Sequence, residues 1–185
     1  MLEYLLFLQG FFKNPYRVGN ILPSSHVLAN KIVQSVQWDD VNVVAELGAG
    51  TGAITRFIKS QLMNSTQLLL FERNKKMRDY LKALYPECIF HSNASCLIKK
   101  LNQENISQLD CIICGLPLFN FSNEMRDNII RQIVESLKPG GVLVAYQHSP
   151  HMKKKWAKQL IIEKTEFVPY TFPPTYVYTC RKKNE

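Results

Sequence analysis

Val43-Val44-Ala45-Glu46-Leu47-Gly48-Ala49-Gly50-Thr51-Gly52 is the stretch from which the rest of the chain can be read. An apolar, β-branched run ends in an acid, and three glycines follow at alternate positions before a helix-like segment begins. Glycine at 48, 50 and 52 lets the backbone turn tightly and lets a ligand approach it closely. The helix beyond opens with N–H groups that have no partner inside it. In an open α/β sheet, the turn at the carboxyl end of the first strand is where nucleotides bind. The spacing here is G-x-G-x-G, distinct from the G-x-G-x-x-G of dinucleotide-binding turns. Glu46 would repel a pyrophosphate and suits a ligand with a positive amine or sulfonium.

Working outward, the next apolar run, 67–71, leads into Glu72-Arg73, twenty residues beyond Gly52. A carboxylate at that strand end can accept hydrogen bonds from both hydroxyls of a ribose. Apolar runs at 41–47, 67–71, 89–91, 110–114 and 142–146 alternate with helix-like stretches at 53–63, 75–84, 94–101 and 124–137. In the last of these, Ile129, Ile130, Ile133, Val134 and Leu137 recur at helical spacing, and Pro139-Gly140-Gly141 stops the pattern. Such alternation predicts a parallel sheet with helices on both faces. The β-rich runs 166–172 and 175–180 are separated only by Pro173-Pro174, too short for a crossover helix, so they should be antiparallel. Residues 1–12 read as a helix broken at Lys13-Asn14-Pro15, and a second helix is expected over 25–36.

The chain has 185 residues and no internal repeat, which predicts a single domain over 1–185, with an N-terminal helical segment 1–38 and an α/β core 39–185. A content of 46% hydrophobic and 21% charged residues excludes a disordered chain and a disulfide scaffold. Lys plus Arg number 23 against 15 Asp plus Glu, a formal charge of +8 that favours RNA, DNA or an anionic membrane as partner. Five cysteines, an odd count, read as free thiols in a reducing cytoplasm. The apolar segment 1–12 is far shorter than the ~20 residues of a membrane span, and it lacks the basic n-region and cleavage site of a secretion signal.

These residues resemble the class I S-adenosylmethionine-dependent methyltransferases over most of the chain. The resemblance implies a Rossmann-like α/β fold: a seven-stranded, mostly parallel sheet with an antiparallel C-terminal strand and helices on both faces. It implies S-adenosyl-L-methionine as cofactor, with Glu46, Gly48, Ala49, Gly50 and Gly52 around its methionine end. Glu72 and Arg73 fall at the ribose, Asn93 and Ala94 beside the adenine, and Gly115 across the cleft. The fourth strand ends in Cys114-Gly115-Leu116-Pro117-Leu118-Phe119-Asn120-Phe121. In position this segment is similar to the Asn-Pro-Pro-Tyr or Asn-Leu-Pro-Tyr segment of adenine N6-methyltransferases, but Gly115 stands for the Asn and Leu118 for the aromatic. Glycine cannot make the side-chain hydrogen bond to a base, and leucine is a poor stacking platform.

Gly115-Leu116-Pro117-Leu118 is instead similar to bacterial soluble phospholipid N-methyltransferases, as are 13–25 and Pro173-Pro174-Thr175-Tyr176-Val177-Tyr178. This second resemblance implies methylation of the amine of phosphatidylethanolamine and its methylated products. Tyr16, Asn20, Leu116, Pro117, Leu118 and Tyr176 are then the substrate-side residues. It also implies a cytoplasmic enzyme, peripheral on the inner face of an anionic membrane. The rRNA adenine dimethyltransferases share the layout and keep an RNA adenine acceptor open. A non-catalytic cofactor-binding subunit is a third reading, against which the intact glycine loop and Glu72 argue. No metal is implied, because the methyl group already carries its leaving group; the oligomeric state stays open.

Among smaller features, Cys111 and Cys114 are three apart in a strand and so should face opposite ways, unable to share a bond or a metal. His26, His91, His148 and His151 show no metal-site spacing. Lys153, Lys154, Lys155 and Lys158 crowd a helix start around Trp156, against the helix dipole. Tyr16, Tyr176, Tyr178 and His148 are candidates by residue type for receiving the amine proton. Residues 1–12 are apolar almost all round, which points to membrane or dimer contact, with Lys13 and Arg17 as a basic flank.

Overall fold

The computed structural model describes residues 23–171 and 173–184. The expected helix 1–12, Tyr16 and Asn20 lie outside the described residues, as does Phe172. The strands are β1 (Val43–Leu47), β2 (Gln67–Phe71), β3 (Ile89–His91), β4 (Leu109–Cys114), β5 (Leu137–Gln147), β6 (Ile161–Val168) and β7 (Thr175–Arg181). They form one seven-stranded sheet in the order β3-β2-β1-β4-β5-β7-β6. The first five are parallel, and β7 inserts antiparallel between β5 and β6. The chain order reverses beside β1, whose neighbours are β2 and β4, so the crevice for a ligand opens at the carboxyl ends of β1 and β4.

The helices are α1 (Pro23–Val33), α2 (Thr55–Lys59), α3 (Lys75–Leu84), α4 (Leu97–Gln103), α5 (Asn123–Ser136) and α6 (Met152–Gln159). Strand alternation sends Val44, Leu70, Ile113 and Val144 to one face, where Ile32, Ile58 and Leu81 of α1, α2 and α3 cover them. Leu47, Leu69, Ile112 and Leu143 face the other way, under Leu101, Ile133 and Trp156 of α4, α5 and α6. Each fully buried side chain of this size contributes about 1.5–3 kcal/mol. Asn74 caps α3 by accepting the Met77 N–H, and Ser122 caps α5 by accepting that of Met125. Lys31 of α1 pairs with Glu166 of β6 at 2.7 Å. Among the described residues no helix is long and apolar enough to cross a membrane.

Several expected boundaries move. The helix expected over 53–63 is confined to Thr55–Lys59, where the Ser60 hydroxyl turns back to the Phe57 carbonyl. The helix over 94–101 opens as a 3-10 turn at Ala94–Cys96, capped by Asn93, before α4 begins. The helix over 124–137 ends at Ser136, and β5 already includes Pro139-Gly140-Gly141. The antiparallel hairpin is present, but β6 starts at Ile161 and ends at Val168, so six residues connect it to β7. Pro169 offers no ladder N–H, and the Thr171 hydroxyl closes the turn by bonding the Val168 carbonyl at 3.0 Å. Cys111 and Cys114 are buried on opposite faces, and burial pushes both thiols well above the ordinary range.

Candidate active site

The glycine turn leaves β1 and hangs on the end of β2: the N–H groups of Gly48 and Ala49 both donate to the Phe71 carbonyl, at 2.8 and 3.1 Å. Gly48, Gly50 and Gly52 hold φ of +87°, +58° and +83°, the left-handed region that disfavours a side chain. Their surroundings differ. A Cβ at Gly48 would meet Leu116 at 3.2 Å and one at Gly52 would meet Leu81 at 2.7 Å, whereas one at Gly50 would meet nothing within 4 Å among the described residues. Gly50 thus faces the open crevice.

Glu46, at the end of β1, is fully buried. One carboxylate oxygen accepts the Thr55 hydroxyl at 2.6 Å, and the other, Oε1, has no hydrogen-bond partner among the described residues. Burial pushes its pKa up to about 8, with the Glu72 charge adding to the rise and the Thr55 bond opposing it. A buried oxygen without a partner is costly, and a nearby cation both satisfies it and restores its charge. Glu72, just past β2, accepts from the Gly50 N–H at 2.8 Å through Oε2 and from the Asn74 N–H at 2.6 Å through Oε1. Each oxygen keeps a second lone pair, the number needed for two ribose hydroxyls. Arg73 is exposed. The side-chain oxygen of Asn93 accepts the Ser95 N–H and hydroxyl, at 2.9 and 2.7 Å, and so acts as a local cap at the end of β3 beside Ala94. The open space at Gly50, the partnerless Glu46 oxygen and the spare capacity of Glu72 fit a ligand that is cationic at one end and carries a ribose at the other.

Across the crevice, Gly115 donates its N–H to the Leu47 carbonyl at 2.9 Å. A Cβ on Gly115 would lie 2.0 Å from the Tyr146 hydroxyl, so the phenol occupies the place a side chain at 115 would take. The pairing of Cys114 with Ala145 sets these next residues side by side. Gln147 donates to the Leu116 carbonyl at 2.9 Å and holds the segment in place. Leu116 abuts the glycine turn, with Pro117 following it, partly buried. Tyr146 is the residue that sequence reasoning passes over; its only sequence signal is a glycine where a strand end meets a neighbouring strand.

Two expected positions are corrected. Leu118 is fully buried in the core beneath the 3-10 turn Leu118–Asn120 and does not line the cleft. Tyr178 is fully buried in the same core, its hydroxyl without a partner among the described residues, so burial keeps it from a substrate's proton. Tyr176 lies on the α5–α6 side of the sheet against Phe167, the ring centroids 4.9 Å apart, while Tyr146 packs on the opposite side. His148 sits at the carboxyl end of β5 with Nδ1 3.1 Å from the Thr175 hydroxyl.

A crevice at the switch point of this sheet, with a glycine cradle, a buried acid and a second acid at the end of β2, defines a class I S-adenosylmethionine-dependent methyltransferase. The chain belongs to the methyltransferase-domain family, whose model matches residues 44–141, and S-adenosyl-L-methionine is its cofactor. An ornithine lipid N-methyltransferase from Singulisphaera acidiphila is 28% identical over 190 residues, covering 100% of this chain and 99% of that protein. Among solved structures, N-methyltransferase NodS from Bradyrhizobium japonicum WM9 in complex with S-adenosyl-L-homocysteine superposes with a TM-score of 0.72 at 13% identity, over 91% of this chain and 92% of that one. The 1,6-didemethyltoxoflavin-N1-methyltransferase of Burkholderia thailandensis gives 0.69 at 15% identity, over 98% and 89%. At these identities the two structures speak for the fold.

Proposed function

We propose that this methyltransferase acts on the amine of an amino lipid, with phosphatidylethanolamine and its methylated products as substrates. The observation that carries this reading is the acceptor side of the cleft. Gly115 offers no side chain to a base edge, Leu118 is turned into the core, and the polar atom beside Gly115 is the Tyr146 hydroxyl. A small amine on an apolar carrier suits such a wall; a purine, which needs stacking and edge contacts, does not. The near full-length likeness to an ornithine lipid N-methyltransferase supports a lipid amine and favours ornithine lipid as a second reading.

When bound, the cofactor would supply a methyl group on a cationic sulfonium, which departs as a neutral thioether. In this reading Glu46 and Glu72 hold its two ends, and Gly115 and Leu116 press the acceptor toward the glycine turn. Once the ammonium has given a proton to water, the Tyr146 oxygen would accept an N–H of the neutral amine and aim the nitrogen lone pair at near-attack geometry; the N–C bond would form as the C–S bond breaks, and the methylated ammonium would return its extra proton to water. In this reading the chain acts as one catalytic unit, Tyr16 and Asn20 count among its substrate-side residues, and residues 1–12 with Lys13 and Arg17 serve membrane contact at the inner face of an anionic bilayer.

Methyl-labelled cofactor, offered with vesicles of phosphatidylethanolamine, vesicles of ornithine lipid and total RNA, tests the reading. Label in phosphatidylethanolamine is expected. Label in ornithine lipid alone replaces the proposed substrate with the second one, and label in RNA, or in none of the three, overturns the lipid reading. Tyr146→Phe should lower kcat several-fold to tenfold, the scale of one hydrogen bond, with S-adenosylhomocysteine affinity unchanged.

A further inference from the structure

We propose that the rim of the cleft, running from the β4–α5 turn across the β5–α6 loop to the β6–β7 turn, docks onto an anionic lipid bilayer. The proposal rests on the lipid-amine reading and adds the surface that meets the bilayer. Three large apolar side chains stand exposed on this rim: Phe119 at 54%, Met125 at 44% and Tyr170 at 80%. Phe119 follows β4, Met125 opens α5, and Tyr170 lies beyond β6. Because β7 is antiparallel to both β5 and β6, strand β6 runs with β4 and β5, and all three positions share the carboxyl end of the sheet where the crevice opens.

Contacts tie the Phe119 and Tyr170 ends of this rim to the loop that follows β5. The Phe119 ring packs on His151 with centroids 5.4 Å apart, and His151 Nδ1 is 2.5 Å from the Ser149 hydroxyl. In the same loop His148 reaches the Thr175 hydroxyl at 3.1 Å, and Thr175 accepts from Thr171, beside Tyr170, at 3.0 Å.

Charge selects the partner. Lys155 is paired with Asp127 at 2.6 Å, but Lys153 and Lys154, exposed in the first turn of α6, form no ion pair among the described residues. Two cations at a helix N-terminus oppose its dipole, so the fold gains nothing from them. An anionic surface next to the rim compensates both, while Phe119 and Met125 enter the acyl boundary and Tyr170 sits at headgroup level. A lipid held there presents its headgroup to the cleft without leaving the bilayer.

The test is flotation of the full chain with vesicles of equal phosphatidylglycerol and phosphatidylcholine, against phosphatidylcholine alone. The wild type should float with the anionic vesicles, less so as salt rises. F119S/Y170S and K153E/K154E should each reduce the bound fraction by roughly tenfold or more, while S-adenosylhomocysteine affinity, read by calorimetry, stays at the wild-type value and shows that both are folded. Wild-type flotation by both variants, no flotation by the wild type, or binding of the rim to single-stranded RNA in place of vesicles overturns the proposal. Phosphatidylethanolamine and ornithine lipid dispersed in detergent separate it from the substrate reading. There K153E/K154E should methylate as the wild type does, and a wild type that floats but methylates neither lipid defeats the substrate reading while docking stands.

Discussion

At the amino end of the sheet, a cavity of about 570 Å³ lies among Asp110, Lys138, Glu163 and Arg181. At the carboxyl end lies the crevice of Glu46, Gly50 and Glu72. Both are hollow and both carry charge, but their bonding capacity is used differently. Asp110 accepts the N–H groups of Asn42 and Val43 at 2.8 and 2.7 Å and pairs with Lys138. Burial alone would raise its pKa, yet the bonds from Lys138, Val43 and Asn42 outweigh that and hold it below the ordinary carboxylate range. Arg181 pairs with Glu163 and donates to the Gly140 carbonyl at 2.9 Å. These charges hold strand ends together. At the other end, among the described residues, a buried Glu46 oxygen lacks a partner and nothing stands within 4 Å of where a Cβ on Gly50 would lie. Uncommitted bonding capacity, more than volume or charge, marks the end that takes a ligand.

The sharpest way to break this contrast is Gly50→Val. It fills the cradle and forces a β-branched residue into φ +58°, so S-adenosylhomocysteine binding should fall a hundredfold or more in calorimetry. Binding retained within tenfold would mean that the cofactor lies elsewhere. Asp110→Ala should act in the opposite sense, lowering the urea-unfolding free energy by about 2–3 kcal/mol with cofactor affinity changed less than about twofold. A large affinity loss in that variant would erase the distinction between the two ends. Glu72→Ala removes an acceptor for two hydroxyls, and a loss of roughly tenfold or more in affinity is expected, since each such charge-assisted bond contributes about 1.5–3 kcal/mol.

The smallest effect concerns pH. Glu46 has its folded pKa raised from 4.5 to about 8, so the neutral form is favoured in the fold. Its contribution to stability is complete below the unfolded value and is lost as pH rises toward about 8. A cationic ligand reverses the preference, so S-adenosylmethionine affinity should rise a few-fold between about pH 6.5 and about pH 8.5. Glu46→Gln should flatten that profile, and an identical slope in the variant would assign the proton to another group.

The glycine turn, Glu46 and Glu72 are legible in the sequence because their meaning is local: a strand end, a turn and a helix start lie within a few residues. The parallel strands and the antiparallel pair are legible from periodicity and from a link too short for a crossover. Tyr146 is not, because its importance depends on β4 and β5 lying side by side, so that its phenol covers Gly115. Leu118 misleads for the converse reason. Its neighbours line the cleft, and only the 3-10 turn at Leu118–Asn120 swings its side chain into the core. The length of the β6–β7 connection depends on the Thr171 side-chain bonds, which composition does not reveal.

Hydrogen exchange read by mass spectrometry, with and without S-adenosylhomocysteine, tests the contrast between the two ends most directly. The account predicts slower exchange for the amides of residues 48–55 and 72–75 on adding the ligand, with residues 138–142 and 179–182 around the amino-end cavity unchanged. Protection at 138–142 and 179–182, with 48–55 unaffected, would contradict it.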